Sequence, residues 1–234
     1  MTNTLTCPLC HYSGAMTALR TNNKKQPRHY WACPHCFLAF MAPEHHLSHD
    51  AECAYYQTHQ NNPNDAGYVR FLQQLWQPLQ QRLQPNMQGV DIGCGPNPTL
   101  SGLIEQEGWT CALYDPFFYP TPWQHGVDFI TATECFEHFH APRDELTRMI
   151  AGLNDGGWLA LMTERWRDAD HFFTWHYPRD PTHVVFLHDR TLAYISAEFN
   201  LTLRYHDAKR VAIWQKNAAQ TRGTLAFNNP ASQV

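Results

Sequence analysis

Apolar residues recur at helical spacing from Asp65 onward. In GYVRFLQQLWQPLQQRL, Tyr68, Phe71, Leu72, Leu75, Trp76, Leu79 and Leu83 form one stripe, which predicts a helix packed beside a sheet and kinked at Pro78. Short unbroken apolar runs then alternate with amphipathic segments. The run through Val90-Asp91-Ile92, TCALYD to Asp115, VDFITATE to Glu134 and WLALMTE read as buried strands. LSGLIEQEG, opened by Pro98-Thr99, and APRDELTRMIAGLNDGG, with Pro142 near its start and a glycine stop at Gly156-Gly157, read as helices. Strands alternating with helices predict an α/β fold whose parallel sheet is covered on both faces.

Several segments break this alternation. Between Asp115 and Val127, PFFYPTPWQHG is too short and too rich in proline for a helix plus a strand, so the third strand of such a sheet is expected to be abbreviated or absent. RWRDADHFFTWHYPRDPTHVVFLH is long, aromatic and irregular, which fits a loop folded over a site. Asp189 is expected to cap a helix through Phe199, and LTLRYHD and VAIWQKN flank Ala208-Lys209-Arg210 as a C-terminal antiparallel hairpin. Residues 218–234 are polar and unpatterned and are expected to be a disordered tail.

The N-terminal region has a different character. Cys7-Pro-Leu-Cys10 and Cys33-Pro-His-Cys36 are two thiol pairs separated by 22 residues, the pattern of a zinc ribbon over residues 1–42. Four cysteines complete a tetrahedral zinc site, so His11 and His35 beside them are not needed as ligands. A region this small has little core of its own, and metal binding would supply much of its folding free energy. Residues 43–64 carry His45, His46, His49 and His59 without a shared face or ligand spacing, and read as a linker and first helix before a domain over 65–217.

Length and charge add limits. At 234 residues the chain accommodates one domain with an appendage. A formal net charge of -4 offers no general attraction to nucleic acid or to an anionic membrane. Arg20, Lys24, Lys25 and Arg28 form a local basic cluster, read as a solvated loop, which keeps a nucleic-acid partner open. MTNTLTCPLC has neither the basic nor the apolar region of a signal peptide and no apolar run is long enough to span a membrane, so a cytoplasmic protein is expected.

The candidate chemistry centres on VDIGCGPNP, residues 90–98. Gly93 and Gly95 let a strand turn into a helix with bare backbone, a turn that serves dinucleotides, phosphates or S-adenosylmethionine, or simply connects elements. Pro98 stands at the third-glycine place of a dinucleotide fingerprint and argues against that ligand. Asp115 ends the next strand, where an acid can take the two hydroxyls of a ribose. Together they favour a nucleoside without a pyrophosphate; Phe117 and Phe118 are placed to cover a purine.

On these residues, from about Tyr55 to Asn217, the chain resembles the class I S-adenosylmethionine-dependent methyltransferases. VDIGCGPNP looks like their first motif, Asp115 like the ribose-binding acid, DFITATECFEHF like the motif after strand four, and LNDGGWLALMT like the next. The ribbon, YQTHQN, TECFEHF and WHYPRDPTHVVF are together similar to small bacterial methyltransferases with an N-terminal zinc ribbon. The resemblance implies a Rossmann-like fold and an S-adenosyl-L-methionine cofactor. Asp91, Gly93, Cys94 and Gly95 would lie along its methionine part, and Asp115, with Pro116 and Phe117, would hold the nucleoside. Thr133 and Glu134 complete the set, and Tyr56, His59 and Asn61 would cover it. Asn97 replaces the motif's third glycine, a substitution the turn tolerates because asparagine accepts left-handed backbone.

Methyl transfer from a sulfonium needs alignment, and a base where the acceptor carries a proton. Glu134, Glu137 and His138 leave the strand together, and Asp180-Pro-Thr-His183 can face them. Three readings remain open for Glu134, Glu137, His138 and His183: a divalent-ion site, a metal-free site with His138 or His183 as base, or structural hydrogen bonding. The first resembles the ion sites of small-RNA 3′-terminal 2′-O-methyltransferases and of some ubiquinone-pathway O-methyltransferases. The acceptor is unidentified, small molecule or macromolecule. The competing functions are a noncatalytic zinc-ribbon interaction protein and a nicotinamide oxidoreductase, the latter opposed by Pro98 and the terminal hairpin.

Overall fold

Two sheets organise the chain, whose computed structural model describes residues 5–23, 27–58 and 62–218. The N-terminal segment supplies β1 (Thr17–Leu19), β2 (Tyr30–Ala32) and β3 (Ala39–Met41), followed by α1 (His49–Tyr56) and α2 (Ala66–Gln80). Next come β4 (Gln88–Ile92), α3 (Thr99–Gln106), β5 (Thr110–Tyr114), β6 (Val127–Thr133), α4 (Pro142–Gly152) and β7 (Leu153–Met162). The chain ends with α5 (Ala169–Thr174), β8 (Val185–Phe186), α6 (Asp189–Glu198), β9 (Leu201–His206) and β10 (Val211–Lys216).

The larger sheet has the order β5-β4-β6-β7-β10-β9, parallel from β5 to β7 and antiparallel in the final hairpin. No strand forms between Asp115 and Gly126, so β5 is an edge, as expected from its proline-rich sequel. Side chains alternate across the sheet with period two. Phe129, Trp158, Ala160 and Ile213 face α2 and α3 through Leu72, Leu75, Trp76, Leu79, Leu100 and Ile104. Ile130, Leu159, Leu161 and Trp214 face the opposite side, with Leu146 and Met149 of α4 and Leu192 and Ile195 of α6. Burial on both faces is why these strands read as continuous apolar runs. α2 runs through Pro78 to Gln80, and Asp65 caps it by accepting from Gly67 N at 2.7 Å.

Three expectations are corrected. α4 ends at Gly152; Gly156, with φ +78°, lies within the irregular entry of β7, where the register with β6 shifts between Val127 and Phe129. Glycine there makes a bulge and does not stop the helix. His188, not Asp189, caps α6: its Nδ1 accepts from Arg190 N at 3.0 Å and its N–H donates to Thr191 Oγ1 at 3.1 Å. Finally, the aromatic segment is not simply irregular, because it contains α5, a 3-10 turn at Tyr177–Arg179, and β8.

β8 is the fourth strand of the ribbon sheet, whose order is β1-β2-β3-β8. Phe40 pairs with Val185 and Ala39 with Phe186, and Met41 N donates to Val184 O at 2.7 Å. Trp166 Nε1 donates to Phe37 O and Arg143 to Leu9 O, each at 3.1 Å. Leu9, Leu38 and Phe40 consequently share one apolar cluster with Trp166, Phe172 and Phe186. Arg28, expected in a solvated loop, donates to the carbonyls of Pro178, Arg179 and Asp180 at 3.2, 3.4 and 3.3 Å. Lys24 and Lys25 lie outside the described residues, as does the expected tail beyond residue 218. Among the described residues no helix is long and apolar enough to cross a membrane.

Candidate active site

A cavity of about 700 Å³ sits at the carboxyl ends of β4, β5 and β6, the crevice where open parallel sheets bind ligands. Its floor is the turn after β4. Gly93 and Gly95 have φ of +66° and +67°, and a Cβ on Gly93 would lie 2.2 Å from Cys135 Sγ, so only glycine fits there. Asp115 fastens this turn to the next. One carboxylate oxygen accepts from Gly95 N at 3.0 Å, the other from Phe117 N and Phe118 N at 2.9 and 3.1 Å. Asp91, buried beneath, accepts from Thr131 Oγ1 at 2.7 Å. Burial pushes its carboxyl up to about 7; the Thr131 bond opposes this and the charge of Asp115 adds to it.

At the end of β6 the backbone bends through Glu134, with φ +48°, and its N–H donates to Met162 O at 2.7 Å. Tyr177 from the aromatic segment reaches both nearby acids, donating to Glu134 Oε2 at 3.0 Å and contacting Glu137 Oε1 more closely. A phenol has one proton, so simultaneous bonds to both require a protonated carboxyl to donate back. Burial, reinforced by the charge of Glu137, raises Glu134 to about 8, and burial raises Glu137 to about 7. Glu134 Oε1 and Glu137 Oε2 are buried without a hydrogen-bond partner among the described residues. That arrangement favours the neutral acids or an arriving cation.

Two imidazoles stand beside them, their ring centroids 4.8 Å apart. His138 Nδ1 lies 3.0 Å from Thr182 O and His183 Nδ1 lies 2.9 Å from Tyr177 O. A carbonyl only accepts, so each Nδ1 carries a proton, and a neutral ring at either place keeps its lone pair on Nε2; His183 Nε2 also lies 3.9 Å from Asp180 Oδ2. Burial lowers the pKa of His138, which favours its neutral form. One ligand atom from each of Glu137, His138 and His183 falls within 4.8 Å of the others; Glu134 is not part of this group and turns to Tyr177.

Tyr56 walls the cavity, its ring 5.4 Å from Phe117 and 5.2 Å from His138. Cys94, Pro116, Phe117, Phe118 and Thr133 also line it, whereas His59 and Asn61 lie outside the described residues. Sequence reasoning missed Tyr177, since nothing marks one tyrosine among many aromatics. It also missed Glu52 on α1, which pairs with His140 at 2.8 Å on the cavity rim. The four ribbon thiols lie within 4.8 Å of one another, with Cys7 and Cys36 Sγ 3.5 Å apart and Cys10 and Cys33 likewise. Tetrahedral zinc with bonds near 2.3 Å needs sulfurs about 3.8 Å apart, so these residues fit the ion.

A family model described as a methyltransferase domain matches residues 59–206. No curated protein matches the chain. The structure of Burkholderia thailandensis 1,6-didemethyltoxoflavin-N1-methyltransferase, with 1,6-didemethyltoxoflavin and S-adenosylhomocysteine bound, is similar with a TM-score of 0.53. It is 12% identical over 86% of this chain and 100% of its own. A chain from the complex between the Haloferax volcanii Trm112 methyltransferase activator and a methyltransferase has a TM-score of 0.50, at 11% identity over 71% of this chain and 97% of its own. At such identity these likenesses concern the fold.

Proposed function

The chain belongs to the methyltransferase-domain family and is an S-adenosylmethionine-dependent methyltransferase; from that premise we propose that it methylates a hydroxyl oxygen of a small acceptor without negative charge, His138 or His183 taking the proton. The observation carrying this reading is the shared tautomer of the two imidazoles, each Nδ1–H spent on a backbone carbonyl at 3.0 or 2.9 Å. Each Nε2 is thereby set to accept a proton.

S-adenosylmethionine supplies a methyl already activated on a sulfonium. The chain's own residues align the partners: amides of the Gly93-Gly95 turn and Asp91 along the methionine part, Asp115 at the ribose, Tyr56 and Phe117 as cover. The buried acids favour a cationic donor. With the donor bound, Nε2 of His138 or His183 would take the proton that the acceptor hydroxyl gives up on methylation. Charge bears on the acceptor too. Beside Asp91 and Glu134, which burial pushes toward the neutral form, the lining carries Glu52, Asp115, Glu145 and Asp180 against one guanidinium, Arg148, itself paired with Glu145. Phosphate-bearing acceptors, nucleic acid included, meet repulsion there. We take the protein to act in the cytoplasm, the compartment that keeps a tetrathiol reduced and able to hold zinc.

A thermal-shift screen in the presence of S-adenosylhomocysteine tests the acceptor class, because a true acceptor stabilises the complex by mass action. Uncharged hydroxyl compounds should raise the melting temperature; stabilisation only by phosphorylated compounds would refute the proposal. With an acceptor in hand, His138→Gln is expected to lower kcat by about 10²–10⁴-fold while leaving S-adenosylhomocysteine affinity intact. Because burial lowers the His138 pKa, the acid limb of the rate profile should lie below the ordinary histidine value near 6.5, with activity rising as pH increases through it. A second reading has the Glu137, His138 and His183 group hold a divalent ion that acidifies the hydroxyl. Full turnover after chelation that leaves the ribbon zinc in place would exclude it.

A further inference from the structure

We propose that Arg28 and Tyr30 of the zinc ribbon are positioning residues for the acceptor end: by holding the carbonyls of residues 178–180 they fix the turn that orients His183 and His138. The proposal rests on the reading of these histidines as the proton acceptors.

The geometry forms a continuous chain. Tyr30 is buried in β2 and its hydroxyl donates to Pro178 O at 2.9 Å. One guanidinium nitrogen of Arg28 reaches the same carbonyl at 3.2 Å and the next two at 3.4 and 3.3 Å. These acceptors lie at the end of the Tyr177–Arg179 turn, where carbonyls without a partner in the turn carry partial negative charge that a cation stabilises. His183 takes its Nδ1 partner from this turn, Tyr177 O, and His138 takes its own from Thr182 O, two residues beyond Asp180. Thr182 is itself tied back, its N–H donating to Asp180 Oδ1 at 2.8 Å. The adjoining strand repeats the linkage, because Met41 N donates to Val184 O and Val184 N donates to Glu137 O, at 2.7 and 2.8 Å. An imidazole whose carbonyl partner shifts loses the bond that selects its tautomer. The donor turn at Gly93-Gly95 is held by Asp115 and is not part of this chain.

Tyr30→Phe, Arg28→Gln and the double variant test the proposal in the full-length, zinc-loaded protein. The Tyr30 ring packs on Phe172 and Phe186 at 5.3 and 5.9 Å, so phenylalanine removes the hydroxyl and keeps the packing. Nitrogen-15 spectra of the imidazoles report tautomer, and exchange of the Nδ1–H protons reports how firmly the carbonyls hold them. In the double variant the His183 and His138 Nδ1–H protons should exchange roughly tenfold faster and the tautomers should begin to interconvert. S-adenosylhomocysteine affinity should stay within about twofold of the original. Arg28→Lys should restore only part of the protection, since one ammonium does not span three carbonyls. Unchanged imidazole spectra in the double variant would overturn the proposal, and so would an equal loss of S-adenosylhomocysteine binding, which would mean general loosening. If His138→Gln and His183→Gln both retain full turnover, the proton-acceptor reading fails by itself; the spectra still decide whether the ribbon sets these rings.

Discussion

Cys36→Ala is expected to disable the proposed zinc site of the ribbon and lower the stability of the whole protein by several kcal/mol, a loss comparable with the margin that keeps most domains folded. Cys36 is buried, with its Sγ 3.5 Å from Cys7 Sγ, and three thiolates leave a tetrahedral ion one ligand short. The loss should not stay local. Leu9, Leu38 and Phe40 are packed in the same cluster as Trp166, Phe172 and Phe186, and β3 is the template on which β8 pairs. Once the ribbon opens, the aromatic segment loses its backbone partner and its apolar cover together. Metal content, melting temperature and S-adenosylhomocysteine affinity should be measured on one preparation. The expected pattern is about one zinc fewer, a strongly lowered melting temperature and weakened but detectable cofactor binding. A variant with unaltered melting temperature would show that the four thiols contribute nothing to the fold.

Asp115→Ala should have the next largest effect, reducing S-adenosylhomocysteine affinity by about 100-fold or more, equivalent to roughly 2.7 kcal/mol. The carboxylate accepts from Gly95, Phe117 and Phe118, so alanine leaves three amides of the cavity floor without their acceptor and removes the proposed ribose contact. Unpaired buried amides cost about 1–3 kcal/mol each where water cannot reach them. Opening onto the cavity limits that cost, so the fold should survive with a lowered melting temperature. Asp115→Asn separates the two roles: its one carbonyl oxygen serves only one side of the turn, and its NH₂ group faces donors on the other. Affinity should fall for asparagine too, though less than for alanine. Calorimetric titration yielding wild-type affinity for Asp115→Ala would remove this residue from the cofactor site.

Much of this architecture is local information. The stripe from Tyr68 to Leu83 specifies α2, and the apolar runs specify β4 to β7, because burial on one face imposes a period of 3.6 on a helix and burial on both faces makes a strand predominantly apolar. Gly93 and Gly95 are legible for another reason: both turn with positive φ, and at Gly93 a Cβ would lie 2.2 Å from Cys135 Sγ. The missing third strand followed from proline content. By contrast, the assignments of a glycine stop to Gly156 and a cap to Asp189 went astray, because a bulge and a helix end use the same residue types and only the pairing register or the hydrogen bond separates them.

By itself, then, the sequence determined the alternating α/β sheet, the cysteine tetrad and the acids at the strand ends, all consequences of periodicity or of ligand chemistry carried by a few adjacent residues. Tertiary structure alone decided that the ribbon is built into the methyltransferase, with β8 as its fourth strand, and that Tyr177 reaches Glu134 and Glu137 while His138 and His183 meet at the cavity wall. The ribbon contacts join residues more than a hundred positions apart, and both sets run largely through backbone carbonyls and amides, groups that every residue carries and that leave no mark in the order of side chains.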